Sequence, residues 1–245
     1  MNVMRDVRGD AGATRYFEAE HIRACLAPGV PNPFFNQVFV SGPAREGDLE
    51  RALALFEQCS MVPRLEIGPA ALSIGLARQL AVRGFIPTLA EPMLIQCRQA
   101  VDAQLRSDVQ TRRVESGEAL EVFETTYVQA WQIEAWLVPT LQAYVERWLQ
   151  VPGWTLYLAM QAERPIGVGV LFEMDDAAYL ADAATIPGCR GCGAQSALIA
   201  RRVADASRHS RRLIFSRAEF GSTSQRNLER AGLQSNYTAT IWTKA

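Results

Sequence analysis

Two spacings of apolar residues run along this chain. Leu49, Leu53 and Phe56 recur at i, i+4 and i+7 behind Asp48, which predicts a helix with Asp48 as its N-cap. Leu72, Leu76 and Leu80 mark a second helix, opened by Pro69 and closed by Gly84. Strand-like runs stand around these helices: a β-rich stretch at 35–41, "VPRLEI", and the extended, twice proline-bearing "FIPTLAEPMLI". From Val109 the pattern becomes richer. "VQTRRVES" starts as a strand, and 118–150 reads as helix carrying Trp131, Trp136, Tyr144 and Trp148, split at Pro139. "TLYLAMQAE" and "RPIGVGVLFEM" form a hairpin, and "AYLADAATI" is a third strand. A helix over 194–209 gathers Leu198, Ile199, Val203 and Ala206 on one face. "RLIFSRAEF", a short helix at 222–231 stopped by Gly232, and the strand "LQSNYTATIWTK" complete the order.

This succession predicts a mixed α/β fold in two halves, 1–108 and 109–245. Each half ends strand, helix, strand, helix, then glycine and an apolar residue, as in "LAVRGFIPT" and "LERAGLQSN". Composition adds little pull toward any one partner. The 245 residues are about half apolar with a net charge of -1, and Lys244 is the only lysine, so neither nucleic acid nor disorder is indicated. Five scattered cysteines, a charged start "MNVMRDVRGD" and no apolar run near the ~20 residues of a membrane span predict a cytoplasmic protein.

One stretch asks for chemistry: "GCRGCGAQSALI", 188–199, between a strand and a helix. Glycines let backbone N–H groups approach a phosphate, and a helix N-terminus adds unpaired N–H groups and a favourable dipole. It is not a P-loop, lacking Gly-Lys-Ser/Thr, nor a Rossmann fingerprint, since its glycines read GxxGxG. Cys189 and Cys192 have CxxC spacing, but zinc needs two more ligands and His209 is the one nearby histidine. A ligand-free turn and a redox pair are the alternatives to a phosphate cradle.

Pro187 and Arg190-Gly191-Cys192-Gly193-Ala194, followed by "STSQRNLERAGL", resemble the GNAT superfamily of acyl-CoA-dependent N-acyltransferases, whose loop reads Q/R-x-x-G-x-G/A. Gln195 stands where that family has Gly or Ala. The resemblance covers about 109–245 and implies a central, mostly antiparallel sheet flanked by helices. Residues 1–108 would then be a degenerate copy in a tandem arrangement, with "SGPAREG" where the second half has "RGCGAQ".

The resemblance also implies a site. The strand before the loop, Ala184-Thr185-Ile186, would present backbone N–H groups to the thioester carbonyl of acetyl-CoA. Loop residues Arg190, Gly191, Cys192, Gly193, Ala194 and Gln195 would hold the pyrophosphate, and Ser224 and Asn227 the pantetheine arm. The arginines at 201, 202, 208, 211 and 212 either meet the adenosine 3′-phosphate or form a solvated helix face. Many members protonate the thiolate with a tyrosine four residues before Gly-apolar, which is Leu228 here, leaving Tyr237 as candidate acid. Asp182, with Glu173 as the other carboxylate, is the candidate base. Strict alternation puts Asp182 and Thr185 on opposite faces unless a bulge intervenes, as it does in that family. The implied reaction moves an acetyl or short acyl group to a primary amine of a small molecule or amino acid derivative. No metal, nucleic acid or membrane takes part, and an oligomer is compatible. The rival is an acyl-CoA-binding module without catalysis.

Overall fold

The computed structural model describes residues 14–245 except 29, 31–32, 46, 98–107, 116 and 210. Contacts divide the described residues into two bodies: those within 14–93 together with Tyr237–Ala245, and those within Leu94–Asn236. The last strand, β11 (Gln234–Lys244), thus gives most of its length to the first body. The fold is mixed α/β, with six α-helices among the described residues.

In the first body the strand order is β1 (Arg15–Glu18), β2 (Ile22–Leu26), β3 (Gln37–Val40), β4 (Arg64–Ile67), β11 and β5 (Phe85–Cys97). β3 and β4 pair in parallel, from Gln37–Arg64 to Val40–Ile67, while β1–β2, β2–β3 and β4–β11 are antiparallel, and the Gly68 N–H donates to the Val40 carbonyl at 2.8 Å. Between them runs α1 (Asp48–Glu57), whose Leu49, Leu53 and Phe56 are buried at the predicted spacing. Asp48 is the first helical residue rather than the cap. Gly47, at φ 83°, takes the cap position, and Asp48 turns its buried carboxylate to Arg51. Helix α2 (Ile74–Val82) begins five residues after Pro69, because the Ser73 hydroxyl accepts from the Leu76 N–H at 3.1 Å; Leu72 lies outside the helix and is exposed.

The second body orders β10 (Leu213–Arg217), β9 (Ala177–Thr185), β8 (Arg164–Glu173), β7 (Trp154–Gln161) and β6 (Val109–Val114). Its β6–β7, β7–β8 and β8–β9 pairings are antiparallel and β9–β10 is parallel. Ala162 and Glu163, both at positive φ, make the two-residue turn of the predicted hairpin. Helices α3 (Glu118–Trp131) and α4 (Val138–Gln150) part at Gln132, at φ 52°, and Pro139 sits in the first turn of α4, where its missing N–H costs nothing. Helix α5 (Ala194–Arg208) lays Leu198, Ile199, Val203 and Ala206 into a core with Tyr157, Ile166, Leu171 and Leu180. Helix α6 (Thr223–Arg230) adds Leu228 to that core.

Candidate functional site

Three features meet where β9 enters α5. First, β9 outruns β10. Their parallel register ends at Phe215–Tyr179, the Ser216 hydroxyl takes the Leu180 carbonyl at 2.8 Å, and Ala181–Thr185 continue beyond it. Second, β9 is bulged. Val168 faces Ala184 and Val170 faces Ala181, so Asp182 and Ala183 together oppose Gly169. The bulge breaks the alternation that separates Asp182 from Thr185. Asp182 itself is exposed and stands at φ 28°, a left-handed conformation that costs a non-glycine residue roughly 1–2 kcal/mol. Third, a tight loop delivers the chain into α5. Pro187–Cys189 form one 3-10 turn, and Gly191 (φ 81°) and Gly193 (φ 96°) supply backbone that side chains resist.

The amino end of α5 suits an anion. Gly193 caps it without a side-chain acceptor, and the first turn carries no acidic residue. The Cβ position of Gly191 faces open space, and Arg190 is exposed beside it. The corresponding helix of the first body is the reverse: α1 opens with Asp48 and Glu50, and its β3–β4 pair stays closed to the last residue.

The expected residues fall as follows. Thr185 and Arg190–Gln195 are consecutive around the loop, and the Gln195 amide reaches 3.5 Å from the Thr185 hydroxyl. The Ile186 N–H donates to the Ile166 carbonyl at 2.9 Å. Cys189 and Cys192 are free thiols packed on the core, with the Cys192 thiol turned to the Cys189 carbonyl. Among the described residues no three side chains are grouped to hold a metal ion. Ser224 is exposed on α6, whose cap is Ser222, and Asn227 accepts from Arg230. Tyr237, 36% exposed, belongs to the first body, whereas Asp182 belongs to the second. Leu228 is buried in the core, so the position matching the family's tyrosine faces inward.

Of the five arginines, Arg201, Arg202 and Arg208 lie in the interior and at the far end of α5, and Arg211 and Arg212 stand between α5 and β10; none is in the loop. Arg201 and Arg208 both bind Asp205, at 2.8 and 2.7 Å, and Arg211 binds Glu173 at 3.0 Å. At 1.5 Å per residue, Arg208 is about 21 Å along the helix from Ala194. Glu173 is also held by His209, at 2.9 Å. Burial pushes the Asp205 carboxyl up, but hydrogen bonds from Arg201 and Tyr157 outweigh it and hold the carboxyl below its ordinary value. Tyr157, 1% exposed, donates to Asp205 at 2.8 Å, and burial with that bond pushes its hydroxyl far up. Tyr127 of α3 is also raised, by burial and then by the charge of Asp182.

Arg202 neither lines the solvated face nor reaches the loop, the two places the sequence suggests for it. It is 1% exposed, and burial pulls its guanidinium down to about 10, still cationic at neutral pH. It donates to the carbonyls of Leu198 (3.0 Å), Val170 (3.1 Å) and Ala181 (2.8 Å), directly beside the bulge. Nothing in "ARRVAD" separates it from Arg201, since a one-residue shift of helix face, about 100°, is what decides burial.

No protein-family model matches the chain, and no curated protein matches it in sequence. Solved structures do. A GCN5-related N-acetyltransferase from Kribbella flavida superposes with a TM-score of 0.68 at 16% identity, covering 99% of this chain and 92% of its own. The chain has the GNAT fold. A tandem GNAT protein from the clavulanic acid biosynthesis pathway matches at a TM-score of 0.59 and 15% identity, over 91% of this chain and 77% of that one. A functionally unknown conserved protein from Staphylococcus epidermidis matches at 0.69 and 13%, over 93% and 92%. The GNAT fold agrees with the mostly antiparallel sheet flanked by helices.

Proposed function

We propose that this protein is an acyl-CoA-dependent N-acyltransferase whose second half, 109–245 in sequence, carries the donor site, and whose first half is a degenerate copy. The observation that carries this reading is the contrast between the two helix entries. Around α5 the parallel pair opens and the helix end is free of acid; around α1 the pair is closed and Asp48 occupies the helix end. A pyrophosphate needs N–H donors and is repelled by carboxylates in the same first turn, as Asp48 and Glu50 are in α1.

Acetyl-CoA, or a short-chain analogue, is the proposed donor substrate. The loop 190–195 would hold its pyrophosphate, Thr185 and the end of β9 its acyl end, and Ser224 and Asn227 its arm. The acceptor is a primary amine of a small molecule or amino acid derivative. The neutral amine attacks the thioester carbon, the carbonyl π-electrons move to oxygen, and their return expels the thiolate. The amine loses one proton and the thiolate gains one. Asp182, on the exposed side of the bulge, is the proposed proton acceptor, directly or through water. Tyr237 is the proposed donor to sulfur. Among the described residues no helix is long and apolar enough to cross a membrane, which is compatible with action in the cytoplasm. The buried Leu228 in place of the family's tyrosine favours a second reading, a binder that releases no CoA.

Calorimetric titration with acetyl-CoA, alone and in a Gly193→Glu variant, tests the proposal. One site per chain, lost in the variant, is expected. Two sites would overturn the degenerate first half, and no binding at millimolar ligand would overturn the acyltransferase reading. Release of free CoA across an amine panel separates enzyme from binder.

A further inference from the structure

Arg202 lies two turns into α5, enclosed by the sheet, and its reach is set by Gly169. A Cβ on Gly169 would stand 3.2 Å from the guanidinium carbon and 3.3 Å from both Nε and the Leu198 side chain, so the guanidinium fills the space left by the missing side chain. Gly169 is also the single residue that opposes the two bulged ones. One Nη bridges the carbonyl of Val170 on β8 and the carbonyl of Ala181 on β9, the last register pair before the bulge, while Nε is tied to the carbonyl of Leu198 on its own helix. Helix, β8 and β9 are joined at one planar group.

We propose that Arg202 is a positioning residue: it fixes the bulge of β9 from within the core and so sets the direction of the backbone at 182–185, the end of β9 that the acyl-transfer reading turns toward the acyl carbonyl. The proposal rests on the acyl-transfer reading above. Its physical content is a coupling of two parts of one substrate through one rigid helix. The amino end of α5 faces the pyrophosphate, and its Arg202, about 12 Å farther along at 1.5 Å per residue, sets the strand that faces the thioester. Removing a donor side chain would reach only its own contact. Removing Arg202 releases the direction of several backbone dipoles at once. An arginine suits this role because a planar fork serves carbonyls on different elements, whereas a lysine is a single point donor.

Two readouts test it on the full-length chain. In ligand-free protein, amide hydrogen exchange at 181–185 is expected to rise about tenfold or more in Arg202→Met, with the first turn of α5 unchanged. Gly169→Ala, which displaces the guanidinium but keeps its charge, is expected to act in the same direction and serves if Arg202→Met does not fold. With acetyl-CoA labelled with carbon-13 at the acyl carbonyl, the infrared band of the bound ligand is expected to shift to lower wavenumber in the wild type. That shift is lost in Arg202→Met and partly recovered in Arg202→Lys, with kcat down about 100-fold and the Kd of CoA within roughly threefold. Unchanged exchange at 181–185, or a full wild-type carbonyl shift in Arg202→Met, overturns the proposal. A wild type that binds no acetyl-CoA overturns the acyl-transfer reading and with it the role at the carbonyl, while the exchange arm still decides whether Arg202 holds the bulge.

Discussion

Replacing Gln195 by Glu changes one charge and almost no shape, at the position where the loop departs from the family pattern. Gln195 is the second residue of α5 and half-buried, with its amide 3.5 Å from the Thr185 hydroxyl. A glutamate there keeps a partner, since a carboxylate accepts from that hydroxyl. It also sits in the first turn of a helix that has no acid, where a negative charge stabilises by about 0.3–1 kcal/mol. For a pyrophosphate on the same N–H groups the sign reverses. At a separation of about 5 Å and an effective dielectric near 20, each like-charge pair costs roughly 3 kcal/mol before ionic screening. After screening, a net loss of about 2–4 kcal/mol, or roughly 30- to 1,000-fold in Kd, is expected. Isothermal calorimetry with acetyl-CoA gives the affinity, and urea denaturation of the same protein gives stability. The expected pair of outcomes is weaker binding with equal or greater stability. Raising the salt to about 1 M should recover part of the affinity, because the Debye length falls to ~3 Å. Binding within threefold of wild type, with the helix intact, would refute the placement of the pyrophosphate at this helix end.

Three further outcomes follow from the same geometry. Tyr157→Phe removes the buried hydroxyl that donates to Asp205, and should cost about 1.5–3 kcal/mol by urea denaturation at pH 7. Because the folded Asp205 carboxyl is held below its ordinary value of 3.8, its stabilisation is present above pH 3.8 and lost as pH falls through the lower folded value, so the difference between wild type and Tyr157→Phe should shrink when the titration is repeated below that pH. Leu228→Tyr should not create an acid: the position is 3% exposed within the core, so the larger ring is expected to cost about 1–3 kcal/mol in thermal unfolding without raising kcat. Gly153→Ala, with φ 92° and a Cβ only 2.5 Å from the Glu173 carbonyl oxygen, should lose roughly 2–4 kcal/mol by the same assay, and a neutral result would mean that the turn before β7 rearranges freely.

What was legible in the sequence was local. Leu198, Ile199, Val203 and Ala206 announced the buried face of α5, and glycines at 191 and 193 announced backbone that only glycine takes without strain. Helix starts were misplaced where a competing local bond decided them: Ser73 captured the N–H of Leu76, so the helix begins there and not at Pro69. The break between α3 and α4 came at Gln132 because a left-handed cap ends a helix as firmly as a proline does. The arginines were illegible for a different reason. A charged residue on a helix reads as solvated, and only the sheet packed against α5 reveals that Gly169 leaves room for Arg202. Whether β3 and β4 stay closed while β9 and β10 part is likewise a property of register, which has no one-residue signature.

The closed and open strand pairs differ in what meets the carbonyl at the end of each parallel ladder. In the first body, Gly68 continues the ladder past β4 by donating to Val40, and a Cβ there would stand 3.3 Å from that same carbonyl oxygen. In the second, the equivalent continuation is intercepted: the Ser216 hydroxyl takes the Leu180 carbonyl, which relieves β10 of following β9. A buried carbonyl left without a donor would cost about 1–3 kcal/mol, so parting the strands needs such a substitute. Opening therefore depends on Ser216 on one side of β9 and Arg202 on the other. Both satisfy backbone carbonyls from side chains, which leaves the end of β9 free to differ from a regular strand. Ser216→Ala should accordingly favour closure or local disorder of β9 and lower acetyl-CoA affinity without touching the loop. Equal affinity in Ser216→Ala, measured by the same calorimetry, would show that the strands part for another reason.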